Sequence, residues 1–184
     1  MLPIDKMPET EVSIRIAFFL IQRGHTASDV SIAIDGAQIK TEQTVHFSIV
    51  DFLNFNGWTK VSGEKGWQGT YAHHQWKPHI QIHSHPSKGD IVAKLCSGYT
   101  LRVESKKGPL LKSKSSSEYR LIREALGQLL TVKVVGDKDI LAVAVPHSDK
   151  FKDLAKRWRQ APLIQRSGIR ILTVDRQNNV EGFD

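Results

Sequence analysis

Two carboxylates and an amine in neighbouring segments are the residue types in this chain best suited to chemistry. Residues 90–95 and 99–106 both alternate apolar and polar side chains, which predicts two β-strands joined by a short turn. Because side chains alternate along a strand, Glu104 and Lys106 lie on the same face and point into the same space. The alternative interpretation is a surface ion pair of Glu104 with Lys106 or Lys94, since an acid two residues before a lysine is a common sequence.

The register of this hairpin decides whether Asp90 joins the pair. If residues 96–98 form a three-residue loop with the glycine in the left-handed conformation, Leu95 pairs with Tyr99. Asp90 then lies opposite Glu104 on the same face, about 5 Å away. A two-residue loop would turn Asp90 to the other face, so the predicted site depends on the longer loop.

Two carboxylates at that separation repel each other unless a cation lies between them. Ligands that are all oxygen atoms favour Mg²⁺ or Mn²⁺ over Zn²⁺. A divalent ion bound by Asp90 and Glu104 would polarise a phosphodiester oxygen and lower the pKa of a water molecule. Lys106 would orient that water or stabilise the developing charge. The residues therefore predict a Mg²⁺ site for phosphodiester chemistry, in which Mn²⁺ can substitute.

The charge of the chain points to a polyanionic partner. There are 26 Lys and Arg against 19 Asp and Glu, a net charge of +7. Residues 106–114 contain four lysines and no acid, and residues 150–170 contain seven basic residues and one acid. A strip that follows a phosphate backbone explains this distribution, with nucleic acid as the first candidate. A basic face that is merely solvated is the alternative.

The elements that must position the hairpin follow from periodicity and from capping residues. Helices are predicted at residues 9–23 and 44–56, after the polar loop 113–117, and after Ser148. Further strands are predicted at residues 79–85, 139–146 and 169–174, and a hairpin at residues 30–34 and 37–40 around an Asp-Gly turn. From residue 44 onward this order predicts an α/β fold with a mixed central sheet flanked by helices.

These motifs together resemble the PD-(D/E)XK nuclease superfamily. The resemblance rests on Asp90, on Glu104-Ser105-Lys106 at the end of the next strand, and on the following helix with the sequence EALGQLL. It covers roughly residues 41–184 and implies a restriction-endonuclease-like core there. Residues 1–40 would be an N-terminal appendage made of a helix and a β-hairpin.

The resemblance also implies roles for individual residues. Asp90, Glu104 and Lys106 would be catalytic, the carbonyl of Ser105 a further metal ligand beside the two carboxylates, and Gln128 a supporting contact. The family often carries another acid on its first core helix. Glu42 fits that role by position, and Glu11 is the second choice. The chain departs from the family pattern in having a glycine rather than a proline before Asp90. Lysines close to the site would bind the DNA backbone, namely Lys107, Lys112 and Lys114.

We therefore expect a Mg²⁺-dependent endonuclease that hydrolyses DNA, in restriction or another defence against foreign DNA. It would leave a 5′-phosphate and a 3′-hydroxyl and act as a homodimer. One alternative is a basic domain that keeps the same fold and binds nucleic acid without cutting it. Another is a zinc isopeptidase similar to the JAMM family, suggested by His-Ser-His-Pro at residues 83–86. That family needs a further acid at the position where this chain has Cys96.

The remaining composition fits a soluble, cytoplasmic protein with no membrane partner. No apolar run approaches the roughly 20 residues needed to span a bilayer. The N-terminus lacks the basic and apolar regions of a secretion signal. The single cysteine cannot form an internal disulfide, which fits a reducing compartment.

Overall fold

A mixed β-sheet organises the part of the chain that this computed structural model describes, which is residues 3–41, 44–63, 66–85, 89–111 and 117–184. The strands are β1 (Lys6–Met7), β2 (Thr26–Ala33), β3 (Lys40–Thr41), β4 (Thr44–Val45), β5 (Trp58–Ser62), β6 (Gly69–His73), β7 (Trp76–His83), β8 (Ile91–Leu95), β9 (Thr100–Ser105), β10 (Gly108–Pro109), β11 (Asp139–Pro146), β12 (Arg170–Val174) and β13 (Val180–Glu181). The helices are α1 (Glu9–Gln22), α2 (Ile49–Phe55), α3 (Ser117–Leu130), α4 (Asp149–Arg159) and α5 (Pro162–Ser167).

Among the described residues, nine strands form one sheet in the order β13-β12-β11-β9-β8-β2-β7-β6-β5. β9 is parallel to β11, β11 to β12, and β2 to β7, while the other neighbours in this sheet are antiparallel. Two core clusters lie on opposite faces of the sheet, one built around α1 and the other around α3 and α4. The structure thus confirms the predicted mixed α/β fold with a central sheet flanked by helices.

The helix α1 is buried on all sides, because residues 10–21 are all inaccessible to solvent. Its apolar side chains, such as Ile14 and Phe18, share one core cluster with Ile91 and Val103 of the hairpin strands. β2 follows α1 and lies in the interior of the sheet, between β8 and β7. α1 and β2 are therefore part of the core and not an appendage, which corrects the predicted domain boundary after residue 40.

The predicted hairpin at residues 30–40 is also wrong. β2 ends at Ala33, and its partners β7 and β8 come from later in the chain. Asp35 does not form a two-residue turn between strands. Its carboxylate accepts a hydrogen bond from the N–H of Ala37 at 3.0 Å and so caps a short 3₁₀ turn, Gly36–Gln38. The chain therefore leaves the sheet where a hairpin would have returned to it.

The second face of the sheet is covered by α3 and α4, which pack on β9, β11 and β12. Val143, Val145 and Ile171 point towards these two helices, while Ala142 and Ala144 point towards α1. β11 is thus covered on both faces, as its apolar sequence predicts. The Oγ atom of Ser148 accepts a hydrogen bond from the N–H of Phe151 and caps α4, also as predicted. No helix in the described ranges combines the length and the apolar character needed to cross a lipid bilayer.

The connection from β9 to β11 fixes which elements meet at each end of the sheet. The two strands are parallel, with Thr100 beside Asp139 and Ser105 beside Ala144. Because β11 starts where β9 starts, α3 must run back along the sheet, beginning near Ser105. We call the end with Ser105 the site end and the end with Thr100 the far end. The starts of α1, α3 and α4 all lie at the site end.

Candidate active site

The β8–β9 hairpin has the register on which the predicted site depends. Ile91 pairs with Val103 and Lys94 with Thr100, and the N–H of Leu95 donates to the carbonyl of Tyr99 at 2.8 Å. The loop glycine, Gly98, has a φ angle of +84°, in the left-handed region. The three-residue loop is therefore confirmed, and the same register continued by one residue places Asp90 opposite Glu104.

The carboxylate of Asp90 is held against the end of β9. The N–H of Ser105 donates to Oδ2 of Asp90 at 2.7 Å, and the N–H of Ala33 donates to the carbonyl oxygen of Asp90 at 2.8 Å. The preceding residue, Gly89, has a φ angle of +100°, and a Cβ atom there would lie 2.9 Å from the carbonyl oxygen of Val103. A proline, whose φ angle is about −65°, cannot adopt this conformation.

Glu104 and Lys106 form a buried ion pair on the same hairpin. The Nζ atom of Lys106 lies 2.9 Å from Oε1 of Glu104, and the two side chains are only 6% and 12% exposed respectively. The N–H of Lys106 also donates to the carbonyl of Ala144, which fixes this residue to β11. A pair on the open surface, the alternative interpretation, is therefore wrong. Lys94 is exposed and pairs with Thr100, four rows from Asp90.

A third carboxylate, from Glu9, approaches the same place from α1. The Oγ atom of Ser13 donates to Oγ of Ser105 at 2.9 Å, which locks α1 against the end of β9. Glu9 is one helical turn earlier on the same side, and its Oε2 atom accepts a hydrogen bond from the N–H of Lys107 at 3.4 Å. Its charge raises the pKa values of both Asp90 and Lys106. Glu9 was not among the site residues predicted from the sequence.

The pKa of Asp90 is raised to about 7. Burial is the largest cause, and the charges of Glu104 and Glu9 raise the pKa further. The hydrogen bond from the N–H of Ser105 and the charge of Lys106 oppose this shift without cancelling it. The surroundings of Asp90 therefore disfavour its charged form, first through burial and then through the two neighbouring carboxylates.

The amine of Lys106 keeps its proton at neutral pH. Burial by itself would lower the pKa of Lys106. The hydrogen bond with Glu104 and the charges of Glu9, Glu104 and Asp90 outweigh that effect, so the pKa is raised above its ordinary value. Lys106 consequently acts in this arrangement as a fixed positive charge and a hydrogen-bond donor, not as a base.

The donor set at the site fits a hard divalent cation. Among the described residues, no three His, Cys, Asp or Glu side chains are grouped closely enough to hold a metal ion on their own. Mg²⁺ seldom needs such a group, because it commonly binds one or two carboxylates and completes its coordination with water and substrate phosphates. Asp90 and Glu104 supply two carboxylates at the end of the hairpin, and the main chain of Ser105 lies directly beside Asp90.

Glu11, the second choice for a further acid, does not contribute to the site. Glu11 is fully buried elsewhere on α1, where its carboxylate lies 2.8 Å from Nε of Arg15 and 3.1 Å from Nε of Arg176. Those two guanidinium groups balance its charge, so Glu11 is not a ligand here. Glu42 lies outside the described residues.

Gln128 does not support this centre, which corrects the role implied by the resemblance. It is exposed and lies in the last turn of α3, whereas α3 begins at the site end and runs back along the sheet. From Ser117 to Gln128 the helix rises on the order of 16 Å, which places Gln128 near the far end. Of the predicted DNA-binding lysines, Lys107 is exposed beside Glu9, whereas Lys112 and Lys114 lie outside the described residues.

Two histidines are held by neighbours in the sheet, His83 at the site end and His79 towards the far end. The Nε2 atom of His83 lies 2.8 Å from Oγ of Ser31, and Nδ1 of His79 lies 3.2 Å from Oδ1 of Asp29. Cys96, which takes the place of the acid that a JAMM-like zinc site requires, is exposed at the far end of β8. Cys96 and His83 cannot bind the same metal ion, because they lie at opposite ends of the sheet. His83 pairs with Ala33, which is at the site end.

No protein-family model matches this chain, and neither a curated protein nor a solved structure matches it. The geometry of Asp90, Glu104, Lys106 and Glu9 is therefore what indicates a function for this chain.

Proposed function

We propose that this protein is a metal-dependent endonuclease that hydrolyses phosphodiester bonds of DNA. The observation that carries the proposal is the convergence of Asp90, Glu104 and Lys106 at the end of one hairpin, in the register that brings both acids to one face. Glu9 adds a further carboxylate from a different element. The carboxylates of Asp90 and Glu104 are the ligands that a divalent cation would bind there.

The order of elements supports a restriction-endonuclease-like core. The series α1, β2, β8, β9, α3 and β11 is a helix, three antiparallel strands, a helix, and a strand parallel to the third strand. This is the α-β-β-β-α-β order that the resemblance implies. We infer that the core begins at Glu9 and that β5, β6 and β7 extend the sheet as an insertion after β2. Glu9 then takes the place of the acid that the family often carries on its first core helix.

The residues of the site have distinct roles in the proposed reaction. The carboxylates of Asp90 and Glu104 and the carbonyl of Ser105 would hold Mg²⁺, or Mn²⁺ in its place. The bound ion would supply positive charge to the scissile phosphate and favour ionisation of water. Lys106, which keeps its proton, would donate a hydrogen bond to the attacking water or to a phosphate oxygen and stabilise developing negative charge. Glu9 would hold Lys106 and the main chain of Lys107 in position.

Basic residues around the site end provide contacts for the phosphate backbone. Lys6, Lys107 and Arg120 are all exposed and border a single cavity next to Glu9. Lys112 and Lys114 stay predictions for the same role. By the resemblance, we propose products with a 5′-phosphate and a 3′-hydroxyl, a homodimer that cuts both strands, and a role in defence against foreign DNA.

Plasmid cleavage in Mg²⁺, Mn²⁺ or EDTA tests the proposal, with Glu104→Gln and Lys106→Met as the test variants. We expect each substitution to slow cutting roughly a hundredfold to a thousandfold, because each removes a group that acts on the transition state. EDTA should abolish cutting. Lys94→Met is the matched control, since Lys94 is an exposed lysine on the same hairpin. Cutting that survives EDTA, or that is unchanged in both test variants, contradicts the mechanism.

A nucleic-acid-binding domain that does not cut is the second candidate. It is favoured by the observation that no complete three-ligand metal group is present among the described residues. A gel shift of DNA that persists in Glu104→Gln and Lys106→Met, together with no cleavage in any metal, would support it over the endonuclease.

A further inference from the structure

A cavity of about 870 Å³ opens directly beside the candidate active site. It lies between the N-terminal segment, β10 and the first turn of α3. Glu9 and Lys107 belong to both places, because they line the cavity and also contact each other next to Asp90 and Lys106. A substrate whose phosphate lies at the site therefore has this cavity as the neighbouring space.

The walls of the cavity are mainly apolar, and its positive charges are exposed. The apolar lining comes from Pro3, Met7, Pro109, Leu111 and Leu121. The cations are Lys6, Lys107 and Arg120, all of them exposed to solvent, and among the described lining residues they outnumber the two carboxylates, Asp5 and Glu9. An apolar space bordered by cations is complementary to a flat base that is joined to phosphates.

The wall next to Pro3 is preformed by hydrogen bonds from the C-terminal part of the chain. β1 pairs with β10, with Lys6 opposite Pro109. The Nη2 atom of Arg176 donates to the carbonyl of Pro3 at 2.6 Å and to that of Lys6 at 3.1 Å. Arg176 itself is held by the buried carboxylate of Glu11. This wall is thus held by contacts within the protein.

The volume of the cavity limits what it can hold. Ligand-sized sites commonly measure roughly 300–1,000 Å³, which accommodates one nucleotide but not a segment of duplex. We infer that the cavity binds one unpaired nucleotide of the strand that is cut, next to the scissile phosphate. This inference rests on the proposed nuclease function and deepens it, because it assigns the substrate class. DNA with a flap, a frayed end or a single-stranded stretch is then preferred over continuous duplex.

Filling the cavity should remove the preference for unpaired DNA. Ala37 is exposed and lines the cavity, so Ala37→Trp places a large side chain there without entering the core. Ala27→Trp is the matched control, because Ala27 is exposed on β2 near the far end. Arg120→Gln tests the cationic border, and Arg123→Gln, one turn along α3, is its control. Leu111→Trp fills the cavity from another wall if Ala37→Trp does not fold.

The measurement is fluorescence anisotropy in EDTA, with a labelled blunt duplex and the same duplex carrying a short unpaired extension. We expect wild-type protein to bind the extended DNA about tenfold more tightly, the effect of holding one base in an apolar site. Ala37→Trp and Arg120→Gln should reduce this ratio, and the two control variants should keep it. Equal affinity for both DNAs, or a ratio unchanged in both test variants, overturns the inference.

Cleavage of the same two DNAs separates this inference from the proposed function. Mg²⁺-dependent cutting of both at equal rates supports the nuclease and overturns the role of the cavity. A binding preference that Ala37→Trp removes, together with no cutting in any metal, supports the cavity and overturns the nuclease.

Discussion

Two buried charge clusters on α1 are built from similar residues but balanced in opposite ways. The paired cluster contains Glu11, Arg15 and Arg176, in which two guanidinium groups share one carboxylate. The acidic cluster contains Glu9, Asp90 and Glu104 around the single ammonium group of Lys106. Glu9 and Glu11 are two residues apart, yet the helix turns them to different sides.

The contrast separates a structural role from a role that requires a ligand. In the paired cluster, both oxygens of the Glu11 carboxylate accept hydrogen bonds from Arg176, and Arg15 also donates to a carbonyl and to Asn178. In the acidic cluster, burial and the charge of Glu104 raise the pKa of Asp90 to about 7, so its charged form is disfavoured. The first cluster is complete in the folded protein, and the second becomes balanced when a proton or a cation binds.

The largest effect on stability is expected from the paired cluster. Glu11→Gln leaves the buried guanidinium group of Arg15 and the half-buried one of Arg176 without this counter-charge, so the free energy of unfolding should fall by about 3–5 kcal/mol. Urea denaturation measures it, and Glu124→Gln on the exposed side of α3 is the control. A loss below about 1 kcal/mol would show that the paired cluster does not hold α1 to the C-terminal turn.

The acidic cluster should make stability fall as pH rises. Asp90 has a pKa of about 7 in the folded protein and an ordinary value of 3.8 when unfolded, so the folded state retains the proton more strongly. Its stabilising contribution is complete below the unfolded pKa and is lost as pH rises through the folded pKa. Between about pH 4 and pH 8 the free energy of unfolding should decrease by up to roughly 4 kcal/mol, less where solvent screens the group.

Asp90→Asn isolates this contribution, because it removes the titrating group but keeps the shape of the side chain. Urea denaturation of both proteins across the pH range gives the difference between them. Relative to wild type, the variant should be more stable at pH 8 than at pH 4. A difference that does not change with pH would show that the carboxylate of Asp90 is already compensated.

The hairpin and its register could be predicted because the information is local. Alternation of residues 90–95 and 99–106 defines two strands, and the loop glycine selects the turn, which fixes Asp90 opposite Glu104. The buried side of α3 and the strand β11 could also be predicted from their apolar residues, and Ser148 indicated where α4 begins. Each of these features depends on neighbours in sequence.

Local sequence patterns could not predict the role of Glu9, the position of Gln128, or the addition of β5 and β6 to the sheet. α1 is buried on every side, so its sequence has no polar face to show which glutamate points at the site. The position of Gln128 depends on the direction in which α3 crosses the sheet. β5 and β6 add to the sheet through pairing with β7, and their short polar sequences have little alternation of their own. The core was therefore predicted to begin near residue 41 instead of at α1.

Binding of a divalent cation should stabilise the acidic cluster and leave the paired cluster unaffected. At pH 8, where Asp90 is ionised, Mg²⁺ at about 30 times its dissociation constant should raise the free energy of unfolding by about 2 kcal/mol. At pH 5 the effect should be smaller, because the ion must displace the proton of Asp90. Thermal denaturation with Mg²⁺ and with EDTA measures this, and Asp90→Asn should not respond. An equal response in wild type and Asp90→Asn would place the bound ion elsewhere.

The smallest expected difference is the one between two glycine substitutions, at Gly89, which presents Asp90 to the cluster, and at Gly98. Gly89 and Gly98 both have positive φ angles, but a Cβ atom at Gly98 meets open space, whereas at Gly89 it meets the carbonyl of Val103. Gly98→Ala should cost about 1–2 kcal/mol of stability from backbone strain alone. Gly89→Ala should cost about 1 kcal/mol more, because of that contact.

Gly89→Ala should also lower Mg²⁺ affinity, since the strand end that positions Asp90 must shift. Urea denaturation and Mg²⁺ titration of the two variants measure these differences. If Gly89→Ala binds Mg²⁺ as well as Gly98→Ala does, the position of Asp90 is not what defines the cation site.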